Sequence, residues 1–302
     1  MNPETLLRVL FLGVAVLVVA LFGFRPSPAL LRQRRAEFTQ RTGAYIDGHF
    51  VAAFDRESRR NHRWFTVVML GVFLDLGLFL TPGGDPQWQP VIYGVIAASW
   101  LATLTVTRLR SAGREFTVAG WSTAVARPRR VVVTDYVSWP VLVVAWSLVS
   151  IDVALGVAWF VEWRRGEVPT SDVVLGWVGL GITVATAVVS QLFAHALCQR
   201  ASPAVDPSHL YLQDAWRARA LGWAYILVAG VAFLGLFPLA LLRFDWVASA
   251  FMTSCFYLTL PVVVVVWVVQ PKWFRRRLWR GLASDQMLLP GQSFPAPVGA
   301  DA

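Results

Sequence analysis

Two aspartates, Asp75 and Asp152, stand well inside long apolar stretches, where nothing nearby in the chain can solvate a carboxylate. An ionised acid near the middle of a bilayer costs roughly 2.5 to 3.5 kcal/mol on insertion scales, so such groups turn toward other helices or a wet cavity. Each has a glycine one turn away on its own face, Gly71 before Asp75 and Gly156 after Asp152, where a neighbouring helix can approach closely. The chemistry open to the pair is proton or cation exchange. The alternative is structural, with each acid hydrogen-bonded to a neighbouring Ser, Thr or Trp. Small hydroxyls recur at helical spacing on other apolar stretches: Thr183, Thr186 and Ser190 on one, Ser99 and Thr103 on another, Thr253 and Tyr257 on a third. Converging, they would line a hydrated path past the two carboxylates. Bonded to their own backbone four residues back, they would line nothing.

The elements that must carry these residues are membrane helices. The stretch from Trp139 to Trp163 has 25 residues, which at about 1.5 Å per residue reach about 37 Å, enough to cross a hydrocarbon core of about 30 Å. Six further apolar runs are Thr5 to Phe24, Trp64 to Thr81, Val91 to Thr107, Val173 to Leu197, Leu221 to Leu242 and Trp246 to Gln270. The chain is 56% hydrophobic and 15% charged, where a soluble domain carries about 25% charged residues. The expected fold is therefore all-α, a polytopic bundle of seven transmembrane helices. Of the 27 basic residues, 23 fall in segments 25–63, 108–130, 200–219 and 271–302. That bias puts the N-terminus outside, the C-terminus in the cytoplasm and the protein in the plasma membrane. Trp64, Trp88, Trp139, Trp163, Trp246 and Trp273 fall at the expected helix ends, as interfacial anchors do.

On this reading residues 1–24 are a first helix, 25–63 an Arg-rich cytoplasmic segment, 64–270 a six-helix bundle and 271–302 a basic tail that runs into disorder. In the second of these, Tyr45, Ile46, Phe50, Val51 and Phe54 recur at three- and four-residue spacing, followed by Arg56, Arg59, Arg60 and Arg63. A helix on the inner membrane surface, arginines toward anionic headgroups, fits the pattern. So does a helix packed on the inner ends of the bundle. Arg127, Arg129 and Arg130, and Arg275, Arg276 and Arg277 in the tail, are further candidates for contact with an anionic inner leaflet or a protein partner.

Other function classes find little support. The net charge of +9 lies in the connecting segments, which argues for positive-inside placement rather than nucleic-acid binding. Cys198 and Cys255 sit on different apolar runs without metal-binding spacing. The single lysine, Lys272, lies beyond the last helix, so a retinal Schiff base in mid-membrane has no anchor. Paired intramembrane histidines for a haem are also missing from the sequence. No cofactor is expected, and no catalytic motif favours an enzyme.

The segment Asp214-Ala215-Trp216-Arg217-Ala218-Arg219 invites comparison with the coupling loop of importer-type ABC permeases. Trp216 stands where that loop has an alanine, and Gly222 falls two places late, so the match is poor. A capped start to the sixth helix, with Asp214 near its N-terminus, accounts for it more simply. Together with Arg130, Asp135 and Tyr136 before the fourth helix, the residues Asp214, Ala215 and Arg217 resemble a pattern in multipass membrane proteins of actinobacteria. That resemblance implies a membrane protein and no particular activity. Two functions follow as expectations: small-solute or proton-coupled transport through Asp75 and Asp152, or a non-catalytic accessory or scaffold subunit whose inner loops engage a partner such as a cytoplasmic ATPase.

Overall fold

A computed structural model of the chain describes residues 26–79, 89–113, 131–167, 170–200, 206–241 and 273–279, together with residues 13, 17, 23 and 204. The elements are helical throughout these residues: α1 Pro28–Thr42, α2 Gly48–Phe79, α3 Gln89–Ala112, α4 Val133–Tyr136, α5 Trp139–Arg164, α6 Thr170–Gln199 and α7 Pro207–Leu241. A short helical turn follows at 273–278. Three described helices are long and apolar enough to cross a membrane: Trp139–Arg164, Gly176–Gln199 and Pro207–Leu234. The first and last expected helices, Thr5 to Phe24 and Trp246 to Gln270, lie outside the described residues apart from isolated positions in the former.

The bundle is built around α7, against which α3, α5 and α6 all pack, while α2 packs on α3. Two close approaches are cut by glycine. A Cβ at Gly71 would run into the Trp100 ring of α3, and one at Gly156 would come within 2.5 Å of Leu180 of α6. On α5 the buried positions Val141, Ala145, Val149, Asp152, Gly156 and Trp159 form one stripe at three- and four-residue spacing. The opposite face shows Val143, Trp146, Ile151, Val153, Val157 and Val161 to the outside, the pattern of a helix whose far side meets lipid.

Two helices begin well before the expected starts. The segment read as a helix on the membrane surface, or packed on the ends of the bundle, followed by a separate span is a single α2 running from Gly48 to Phe79. The Asp47 carboxylate accepts from the Gly48 N–H at its start, and no proline interrupts it. Phe50 and Phe54 near its start face the protein. Phe54 packs edge-on to Trp216 at 5.2 Å between centroids, and Phe50 stacks on His209 at 4.3 Å.

Likewise α7 starts at Pro207 rather than Leu221. Asp206 caps it by accepting from the His209 N–H at 2.7 Å, with Pro207 at the first helical position. Asp214 is therefore two turns inside the helix and fully buried, not a cap. At about 1.5 Å per residue, α2 and α7, with 32 and 35 residues, reach about 48 and 52 Å and overshoot a hydrocarbon core of about 30 Å. In both helices the N-terminal part is the polar one.

These parts form an ordered cap at one end of the bundle. Ser27 caps α1, and Gly43 ends it with φ 70, a left-handed conformation in which its N–H reaches Thr39 O at 2.7 Å. Arg35 pairs with Asp55 at 3.4 Å, binding α1 to α2. Segment 273–279, expected to lead into a disordered tail, is packed into the same end: Phe274 is fully buried and Trp273 donates to Thr134 O at 2.8 Å.

Candidate functional site

Within the membrane part, Asp152 is fully buried between α5 and α6. The Thr183 hydroxyl of α6 is within reach of its carboxylate, and neither carboxylate oxygen has a hydrogen-bond partner of good geometry among the described residues. Thr183, Thr186 and Ser190 continue along the same buried face of α6. Thr186 donates to Ile182 O at 2.7 Å, within its own helix. One polar link joins this layer to α7, from the Tyr225 hydroxyl to Gln191 Oε1. Asp75 is carried by α2, but its side chain lies outside the described residues, as do Thr253 and Tyr257.

The hydroxyls of α3 do not join this group. Ser99 and Thr103 are exposed and donate to Val95 O and Ser99 O at 2.8 and 3.0 Å, four residues back in their own helix. Spacing alone put them on a stripe; it could not say which stripe is buried. The buried face of α3 carries Thr105, Thr107 and Ser111 instead.

The larger polar assembly is at the cap. Asp214 accepts from the Tyr136 hydroxyl at 3.0 Å with one oxygen and from Trp279 Nε1 at 3.0 Å with the other. It thus holds the start of α5 and segment 273–279 to α7. Tyr211 donates to Thr42 O at the end of α1, and its ring packs on Phe274 and Trp279. Trp216 donates to Ser111 O at 3.0 Å, and the Ser111 hydroxyl accepts from Asn61 at 3.1 Å, so α2, α3 and α7 meet in one layer. No known protein family, curated protein or solved structure matches this chain. The site therefore has to be read from its own residues.

Arginines dominate it. Arg34 of α1 donates to His62 Nδ1 at 2.9 Å and to Ser58 O at 3.4 Å. Burial and then the Arg34 charge hold His62 below its ordinary value, while burial lowers Arg34 itself against the opposing pull of Glu37. Arg108 at the end of α3 is pushed down to about 10 by burial, then by Arg219 and Arg34, with Glu57 opposing. It remains charged at neutral pH. Arg219 of α7 lies over the Phe38 ring at 5.6 Å.

Of the arginines expected to face lipid or a partner, Arg56, Arg59, Arg63, Arg276 and Arg277 are exposed. Arg60 is half-buried and paired with Glu57 at 2.8 Å. Arg275 is a correction: it is buried against Gly43 and Tyr211 instead of facing outward. Arg127, Arg129 and Arg130 lie outside the described residues. Sequence reasoning passed over Tyr136, Asp214, Trp216, Arg108 and Trp279 as site residues. Long polar and aromatic side chains at positions 207–219 signalled a buried helix start, once Asp206-Pro207-Ser208 is taken as its cap.

Proposed function

We propose that this is a seven-span plasma-membrane protein, N-terminus outside and C-terminus cytoplasmic, that transports a proton or a small solute coupled to one, with Asp152 as the proton carrier. The observation supporting this is the setting of Asp152: fully buried, opposite a ladder of small hydroxyls of which Thr183 is within reach, with no hydrogen bond of good geometry to either oxygen among the described residues. A carboxylate kept for structural glue is normally hydrogen-bonded, because a half-satisfied buried acid is costlier than an apolar residue of the same size. One that takes up and releases protons needs at least one oxygen accessible to the incoming proton. The test is proton flux into vesicles reconstituted with the purified protein, read by an internal pH dye under an imposed gradient. Asp152→Asn abolishes the flux while leaving the protein monodisperse and its thermal unfolding unchanged; equal flux from wild type and protein-free vesicles refutes the reading.

A second function is favoured by a different observation, the ordered cap with Arg56, Arg59, Arg63, Arg276 and Arg277 exposed on it. As an accessory or scaffold subunit, the protein would present this basic platform to an acidic cytoplasmic partner. Charge reversal at Arg56, Arg59 and Arg63 then removes a co-purifying protein, and Asp152→Asn is silent. Topology is tested separately by labelling single introduced cysteines from either side of intact cells: positions 165–167 react from outside and positions 276–277 from inside.

A further inference from the structure

The cap gathers more arginines than acids among the described residues. Arg34, Arg108 and Arg219 come from α1, α3 and α7, and the contacts beneath them fix their common location. Asn61, Ser111 and Trp216 are hydrogen-bonded in one layer across α2, α3 and α7. Arg108 is three residues before Ser111, and Arg219 three after Trp216. Because α3 runs out of the bundle toward Ala112 while α7 runs into it from Pro207, both arginines lie one turn to the membrane side of that layer. Arg34 reaches the same level from α1 through His62, the neighbour of Asn61, and Arg219 lies over Phe38, one turn along α1 from Arg34. Each of the three feels the charge of at least one of the others.

Two acids act on them, and both are shared: Glu37, which acts on Arg34 and Arg219, pairs with Arg41 at 2.7 Å, and Glu57, which acts on Arg108, pairs with Arg60 at 2.8 Å. Two buried donors point the same way. Arg34 can only donate, so His62 Nδ1, at 2.9 Å from it, must be the acceptor nitrogen, and the neutral ring carries its proton on Nε2. That Nε2–H is buried without an acceptor, and so is the Nε–H of Arg108, among the described residues. A buried donor left without an acceptor destabilises the fold, and clustered like charges add to it. Both deficits are met by one kind of ligand, a multivalent oxyanion, for which guanidinium is the natural partner.

We propose that Arg34, Arg108, Arg219 and His62 form a binding site for a phosphate group at the inner end of the bundle, presented by an anionic phospholipid or by a soluble phosphate. Basic pockets between helices at the cytoplasmic membrane surface bind lipid headgroups in this way. The depth fits, since Arg108 is the first charge after the apolar run of α3 and Trp64, half a turn beyond His62, is exposed at the expected interface. The site rests on the membrane reading for its depth and is independent of whether Asp152 moves protons.

The test uses the full-length protein in nanodiscs of phosphatidylcholine, with thermal unfolding and binding followed as phosphatidylglycerol or inorganic phosphate is added. Wild type is stabilised saturably by phosphatidylglycerol, or by inorganic phosphate if the ligand is soluble; the pair of titrations separates the two sources. Arg108→Gln weakens the effect at least about tenfold, the loss of one charge-assisted hydrogen bond. If that variant does not fold, Arg34→Lys serves, because it keeps the charge but not the planar fork, and it weakens binding while a purely electrostatic surface effect is unmoved. Absence of saturable stabilisation of wild type by either ligand overturns the proposal. So does an effect that survives Arg108→Gln and Arg34→Lys but is lost in the exposed pair Arg276→Gln and Arg277→Gln.

Discussion

Replacing Asp214 tests whether the cap is a fastening or a decoration. Its two oxygens accept from Tyr136 and Trp279, both at 3.0 Å, and the residue is fully buried. Hydrogen bonds to a charged acceptor contribute about 1.5 to 3 kcal/mol each, and a buried donor left bare costs about 1 to 3 kcal/mol. Asp214→Asn keeps one acceptor oxygen and turns the other into an N–H2 facing a donor, so it loses about 2 kcal/mol. Asp214→Leu strands both the Tyr136 O–H and the Trp279 N–H, for about 2 to 6 kcal/mol. Trp279→Phe alone removes one bond at about 1.5 to 3 kcal/mol, but in the Asn background it also relieves the opposed donors and costs less. The double-mutant cycle should therefore show a coupling of about 1 to 2 kcal/mol. The assay is the midpoint of unfolding in mild detergent, followed by the monodisperse fraction on size-exclusion chromatography after heating or denaturant. Costs that add to within about 0.5 kcal/mol would refute the bridging role of this carboxylate.

Two further outcomes follow from the same cap. Phe274→Ala, which empties a fully buried ring position against Tyr211, should destabilise the protein by about 3 to 5 kcal/mol, measured by the same unfolding midpoint; an unchanged midpoint would mean that 273–279 is detached in solution. For His62 the folded protein favours the neutral ring, so its contribution is present above the unfolded value of 6.5 and fades as pH falls through 6.5 toward the lower folded value. Stability scanned from pH 8 to pH 5 should fall on the acid side, and His62→Asn, which retains an acceptor for Arg34, should flatten that fall; an unchanged slope would show that another group is responsible.

How much of this was legible in the chain varies by element. The start of α5 falls where it was expected because Ser138-Trp139-Pro140 is a strong start signal, and its end at Arg164 follows from the charged turn Arg164 to Glu167. The early starts of α2 and α7 were obscured because hydropathy equates a charged stretch with a loop. Residues 207–220 are rich in polar groups and are nevertheless mostly buried, with Tyr211, Asp214 and Trp216 each bonded to a partner outside their own helix. Those partners cannot be read from one sequence: Tyr136 is 78 residues from Asp214 and Ser111 is 105 from Trp216. The stripe on α3 is exposed for a related reason. Helical spacing shows that Ser99 and Thr103 share a face, but which face is inward depends on the neighbours that α3 meets.

The segment 273–279 has an implication for biogenesis. Its contacts reach back 139 residues to Thr134 and 65 to Asp214, so they are made with portions of chain translated long before it. Until these residues leave the ribosome, the Asp214 carboxylate lacks the Trp279 donor and the hollow beside Tyr211 is unfilled by Phe274. Insertion of the helices can proceed one after another, yet the capped end of the bundle acquires its native form only in a final step.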